Sequence, residues 1–117
     1  MFGLNPQQSF EFLEHAVLIQ ICVGENEIVF HFDKEIVLAV ESDLRIATSS
    51  LDRRFTSSVE AAREALELLG SEVSAVQAHT DGTLTIAFGQ TKALELYDSS
   101  PYHESYRVRW PEGSVVV

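Results

Sequence analysis

The chain is poor in cysteine, and the one it has, Cys22, cannot form an internal disulfide. The expected compartment is therefore the reducing cytoplasm. Cys22 lies in an apolar stretch with no base beside it, which predicts a buried, inert thiol. Cations are scarce as well: 8 Lys and Arg stand against 18 Asp and Glu, a net charge of −10. Each half of the chain, 1–56 and 57–117, carries nine acids and four bases, so the acidity is spread evenly. Without clustered Lys and Arg there is nothing to neutralise phosphates, which excludes nucleic acid and anionic membrane surfaces as partners. A basic partner, by contrast, would be attracted. No apolar run approaches the ~20 residues of a membrane span, and no basic, apolar and small-residue leader pattern opens the sequence.

Catalytic and ligand-binding signatures are missing too. The four histidines, His15, His31, His79 and His103, match no zinc spacing. There is no Gly-x-Ser-x-Gly elbow, phosphate loop or dinucleotide fingerprint. Asp98, Ser99 and His103 supply the residue types of a hydrolytic triad, but such residues are common in loops and nothing ties these three together. No metal or cofactor is expected, and catalysis is not nominated.

What the chain does contain is a repeated apolar pattern. At 117 residues and 45% apolar, it has the size and composition of one folded domain. Shifted by 56 positions, Phe12-Leu13 falls on Leu68-Leu69 and Val17 on Val73. Ile28, Phe30 and Phe32 fall on Leu84, Ile86 and Phe88, and Leu38 and Val40 on Leu94 and Leu96. The register runs without a gap from Leu13 to Val40. It resumes after an insertion, where Leu44-Arg45-Ile46 matches Tyr106-Arg107-Val108.

Asn5-Pro6 predicts a short helix through about His15. Strands follow over 17–23, 27–32, 36–41 and 44–48, read from alternating apolar residues and turn chemistry. In the second half, Ser57 and Glu60 form a capping box ahead of a helix whose core stripe is Val59, Ala62, Leu66 and Leu69, stopped by Gly70. Strands return over 73–79, 83–88, 92–97 and 105–110, with Asp81-Gly82 as a hairpin turn. The expected fold class is α+β: two tandem helix-plus-antiparallel-meander repeats forming one β-rich core with pseudo-twofold symmetry. Repeat one spans about 6–48, a connection 49–56, repeat two about 57–110, and a C-terminal strand 114–117.

The insertion that breaks the repeat is also the densest polar and aromatic segment. Tyr97, Asp98, Tyr102, His103, Glu104, Tyr106 and Arg107 are the candidate ligand or partner contacts, because loops on rigid scaffolds often carry function and tyrosines suit interfaces. A second candidate surface lies on the first meander. Val29, Val37 and Ala39 face away from the expected core on strands whose other face is already apolar. Such a face needs cover, and the expected cover is a second copy, in a homodimer through Val29, Val37 and Ala39; the competing reading is an N-terminal helix carrying Phe10 and Phe12 that folds back over it.

Three features resemble an uncharacterised family of short bacterial proteins, a domain of unknown function. They are Leu69-Gly70 leading into a strand, Asp81-Gly82-x-Leu84-x-Ile86-x-Phe88, and Tyr102-x-Glu104-x-Tyr106 before a final hairpin. The family pattern places Asp-Gly after the second strand, where this chain has Asp33-Lys34 and Gly89-Gln90. The resemblance implies no activity. Small immunity proteins of bacterial toxin systems are similar in size, acidity and meander style. The expected function is a non-catalytic cytoplasmic binding protein, immunity-like and recognising a basic protein. The alternative is a small-molecule-binding protein or enzyme using the Asp98–Arg107 region.

Overall fold

Alternation of apolar and polar residues builds two five-stranded antiparallel sheets, which face each other across one apolar core. The computed structural model of the chain describes residues 4–5, 7–100 and 104–117. Sheet 1 has the order β1-β2-β3-β9-β10, from β1 (Leu18–Val23), β2 (Ile28–Phe32), β3 (Ile36–Val40), β9 (Tyr106–Trp110) and β10 (Gly113–Val116). Sheet 2 has the order β5-β4-β8-β7-β6, from β4 (Leu44–Ala47), β5 (Asp52–Phe55), β6 (Val73–Ala78), β7 (Leu84–Phe88) and β8 (Lys92–Leu96). One helix, α1 (Ser58–Ala65), lies between β5 and β6. The fold is thus α+β in class and β-rich. No helix among the described residues is long and apolar enough to cross a membrane.

The connectivity crosses between sheets twice. After β3 the chain leaves sheet 1, and β4 pairs with β8 of sheet 2. After β8 it leaves sheet 2, and β9 pairs with β3. Ile28, Phe30, Ile36, Leu38 and Val108 of sheet 1 and Ile46, Leu84, Ile86, Leu94 and Leu96 of sheet 2 are all buried in the single core. Phe32 and Phe88 stack across it at 6.4 Å.

Several expectations need correction. The segment 49–56 is not a plain connection, because β5 occupies Asp52–Phe55. Only Phe55 of this strand is buried, so an edge strand hides in a polar sequence. The N-terminal helix reduces, among the described residues, to a 3-10 turn over Glu11–Leu13; Pro6 lies outside them. Asn5 accepts from the Gln7 amide at 2.9 Å, which closes a local turn and no helix follows.

In α1 the inward residues are Ala61, Ala65 and, in the 3-10 turn that follows, Leu68. Val59 and Leu66 are 53% and 56% exposed, Leu69 is exposed, and Ala62 is partly buried. Both stripes have helical spacing. The alanine stripe wins because small side chains let the helix approach β1 and β4 closely. Ser57 does cap α1, accepting from the Glu60 amide at 3.4 Å, but the Glu60 carboxylate pairs with Arg53 at 3.3 Å rather than reaching back. Cys22 is exposed, since it sits on the outer side of edge strand β1.

The ungapped 56-residue register fails at its start. Leu13 and Leu68 each end a 3-10 turn and are fully buried. Leu18 and Val73 each open a six-residue strand with a bulge two residues on. Both pairs are 55 apart, whereas Ile28 and Leu84 are 56 apart. The extra residue lies in the second hairpin loop, and a slide of 56 reads through it unseen.

Candidate functional site

The sequence-nominated residues do not gather at one place. Tyr106 opens β9 with its ring in the core, and its hydroxyl donates to the Gly82 carbonyl at 2.6 Å. Burial first, and then the carboxylates of Asp98 and Asp81, push that phenol far above its usual range, so it stays a neutral donor. Asp98 accepts from the Ser105 hydroxyl at 3.0 Å, and that hydroxyl accepts from the Ser100 amide at 3.1 Å. The backbone of Gly82 has φ +96°, and a Cβ there would lie 2.5 Å from the Cβ of Asp98. Asp98, Ser105, Tyr106 and Gly82 therefore form a fastening that ties the 98–105 crossing to the β6–β7 turn. Tyr102 and His103 lie outside the described residues.

Tyr97 belongs to a different surface, the outer face of sheet 2. There Glu95 accepts from the Thr85 hydroxyl (2.6 Å), the Tyr97 hydroxyl (2.8 Å) and Arg45 Nε (3.3 Å). Arg45 also pairs with Asp52 at 2.8 Å. The Arg54 guanidinium lies 4.2 Å above the Tyr97 ring and donates to Asp43 at 2.9 Å. Burial raises the Glu95 carboxyl, but the hydroxyls of Thr85 and Tyr97 and the charge of Arg45 outweigh it and hold the group below the usual carboxylate range. Burial and the Glu95 charge raise the Tyr97 phenol. The hydrogen bond that Arg45 donates to Asp52 is the main reason its guanidinium is held above its ordinary value. Glu95 is thus ionised with its oxygens occupied by donors, which suits a tie across β7, β8 and β4 and does not suit proton transfer. No motif marks this network, because Arg45 and Glu95 meet only through the long-range pairing of β4 with β8.

Arg107 faces a third surface, the outer side of sheet 1. A groove of about 390 Å³ crosses it, floored by Val29, Val37 and Ala39. Val29 and Val37 are half-buried and Ala39 is buried. Among the described residues, the ion pairs of Arg107 are long, 3.8 Å to Glu27 and 3.9 Å to the exposed Glu104. Phe10 and Phe12 do not cover this face: Phe10 is in the core, and Phe12 stacks on Trp110 at 4.2 Å.

That stack marks a fourth surface which the sequence reading missed. Beside the 3-10 turn, a cleft of about 350 Å³ is lined by Glu11, Phe12, Glu14, Trp110 and Glu112, with Lys34 as its one cation. Glu11 and Glu14 also line a neighbouring concavity of about 240 Å³ with Phe10, Val76 and His79. Among the described residues, no group of three or more His, Cys, Asp or Glu side chains is placed to hold a metal ion.

Residues 13–117 match the model of a family of unknown function (DUF6188), and the chain belongs to that family. No curated protein and no solved structure matches the chain.

Proposed function

We propose that this chain is a non-catalytic binding protein that takes a basic segment of a partner protein in the cleft around Phe12 and Trp110, in an immunity-like escorting or neutralising role in the cytoplasm. The observation that carries the reading is the pairing of three carboxylates with a stacked aromatic pair: Glu11, Glu14 and Glu112 surround Phe12 and Trp110. Carboxylates attract Lys and Arg head groups, and an indole or phenyl face adds cation–π attraction and rigid contact area. The net charge of −10 steers a basic partner toward the molecule before contact. The single cysteine supports the reducing compartment.

The scaffold for this site is, in our reading, a tandem duplication with pseudo-twofold symmetry in which the halves exchange their last two strands. The order β1-β2-β3-β9-β10 becomes β6-β7-β8-β4-β5 when each strand is replaced by its counterpart in the other half. The backbone bonds across the two edges support the same reading. His15 N donates to Val73 O as Gly70 N donates to Leu18 O, and Leu18 N donates to Ser71 O as Val73 N donates to Ala16 O.

Trp110 is the only tryptophan in the chain, so its emission reports on the cleft. An oligo-arginine peptide should change that emission in a salt-sensitive manner, and an oligo-glutamate peptide of equal length should not. Glu11→Gln, Glu14→Gln and Glu112→Gln together should weaken binding by roughly tenfold. Neutralising Glu41, Glu60 and Glu64 instead should weaken it far less. Equal losses from the two triple variants would reduce the effect to net charge and defeat the site.

A further inference from the structure

The groove on the outer face of sheet 1 lies apart from the cleft around Trp110. Its character emerges when the outer faces of the two sheets are compared strand by strand. On sheet 2, Arg45 of β4 stands directly opposite Glu95 of β8, and Asp52 of β5 lies diagonally across, opposite Ala47 two residues on. Both carboxylates bind it, at 3.3 and 2.8 Å. On sheet 1, Arg107 of β9 holds the matching place. The residue opposite it on β3 is Ala39, and the residue diagonally across on β10, opposite Arg109 two residues on, is Ser114. The two carboxylates that hold Arg45 closely are thus an alanine and a serine here; the acids near Arg107 are Glu27, which lines the groove, and Glu104, and they stand off at 3.8 and 3.9 Å. Arg109, two residues on and on the same face, forms no ion pair among the described residues. Beside this pair of arginines lie Val29, Val37, Ala39 and Val116.

We propose that this face binds a small amphiphilic carboxylate, with its head group between Arg107 and Arg109 and its aliphatic body on Val29, Val37, Ala39 and Val116. The groove, at about 390 Å³, falls within the range of small-ligand sites. Two arginines present forked donors suited to a carboxylate, and the valines and alanine remove the chain from water. Charge complementarity selects this occupant over a second copy of the protein. The two guanidiniums are cations that no carboxylate of the described residues approaches closer than 3.8 Å, so an anionic head group fits them and an uncharged apolar surface does not.

Decanoate and decan-1-ol, titrated below their aggregation limits against the isotope-labelled protein, separate charge from chain. Amide shifts from decanoate should cluster on β2, β3, β9 and β10, and decanoate should bind roughly tenfold more tightly than the alcohol. Arg107→Gln with Arg109→Gln, both exposed positions, should remove that advantage while leaving the spectrum otherwise native. Val37→Asp should weaken both ligands. Equal affinity for acid and alcohol, shifts centred elsewhere, or an unchanged preference in the arginine variant would each overturn the proposal. So would a wild-type dimer, by light scattering, with these same amides at its interface.

Discussion

Replacing Tyr106 by Phe removes one oxygen atom and leaves the packed ring in place. That oxygen sits in a residue only 1% exposed and donates at 2.6 Å to the carbonyl of Gly82. The substitution forfeits a net hydrogen bond worth about 1 kcal/mol and leaves a carbonyl with no water to replace the donor, so the total is about 1.5–2.5 kcal/mol. Unfolding entropy near 2.1 cal/mol/K per residue amounts to about 0.25 kcal/mol/K for a chain of 117 residues, so the melting temperature should fall by about 6–10 °C. Tyr97→Phe is the control, because that hydroxyl is only part-buried and water can serve Glu95 in its place. It should cost about 0.5 kcal/mol. Urea unfolding followed by circular dichroism measures both, with equal slopes confirming that the unfolded states match. If Tyr106→Phe proves no more costly than Tyr97→Phe, the fastening between the 98–105 crossing and the β6–β7 turn is not what holds that region, and a role for the hydroxyl in binding reopens.

Two further outcomes follow from the same geometry. The folded-state pKa of Glu95 lies below its ordinary value, so its contribution to stability is fully present above that value, near 4.5, and disappears as pH falls through the lower folded value. Glu95→Gln should therefore lose about 1 kcal/mol near neutral pH, and the gap to the wild type should close as pH falls below the ordinary carboxylate range; a stability gap independent of pH would show that the carboxylate is not the operative form. Residues 1–56 expressed alone contain β4 and β5 without β8, and β3 without β9, so they should show no cooperative unfolding, while mixing them with 57–117 should restore strand circular dichroism and a single transition. A 1–56 fragment that unfolds cooperatively as a monomer would refute the exchange of strands between halves.

The inner-face strands were readable because their period is 2 and one side of each must leave water. Ile28, Phe30 and Phe32, and Leu84, Ile86 and Phe88, alternate without exception and are all buried. β5 was not readable. Asp52 and Arg54 face the outer surface, and Arg53 lies over the Phe55 ring at 4.7 Å and pairs with Glu60, so one buried phenylalanine is all the strand's core pattern amounts to. The helix stripe failed for a related reason. Hydrophobicity ranks Val59, Leu66 and Leu69 above Ala61 and Ala65, but contact distance decides which face packs, and alanine allows the closer approach. The loop between β6 and β7 is one residue longer than the loop between β1 and β2, and a slide of 56 residues reads through that difference because apolar parity is nearly kept.

The candidate site dispersed because the segment that looked densest in chemistry is a crossing between sheets. Tyr97 leaves β8 on the outer face of sheet 2, where Arg54 and Glu95 meet it. Nine residues later Tyr106 enters β9 of sheet 1 with its ring turned inward. Between them, the Ser105 hydroxyl donates to Asp98 and accepts from the Ser100 amide. A segment that passes from one layer to the other must satisfy the backbone and polar groups of both, and tyrosine, aspartate and serine are the residues that do so. Their concentration in sequence follows from that structural demand, whereas the surfaces with open binding character draw on residues distant in sequence. Arg107, Val37 and Val116 share one groove, and Phe12 and Trp110 share one cleft, only because strands from the C-terminal end return to the sheet begun by the N-terminal half. On the proposed reading, substitutions in the crossing should act on stability, measured by urea unfolding, and those on the returning strands β9 and β10 should act on binding.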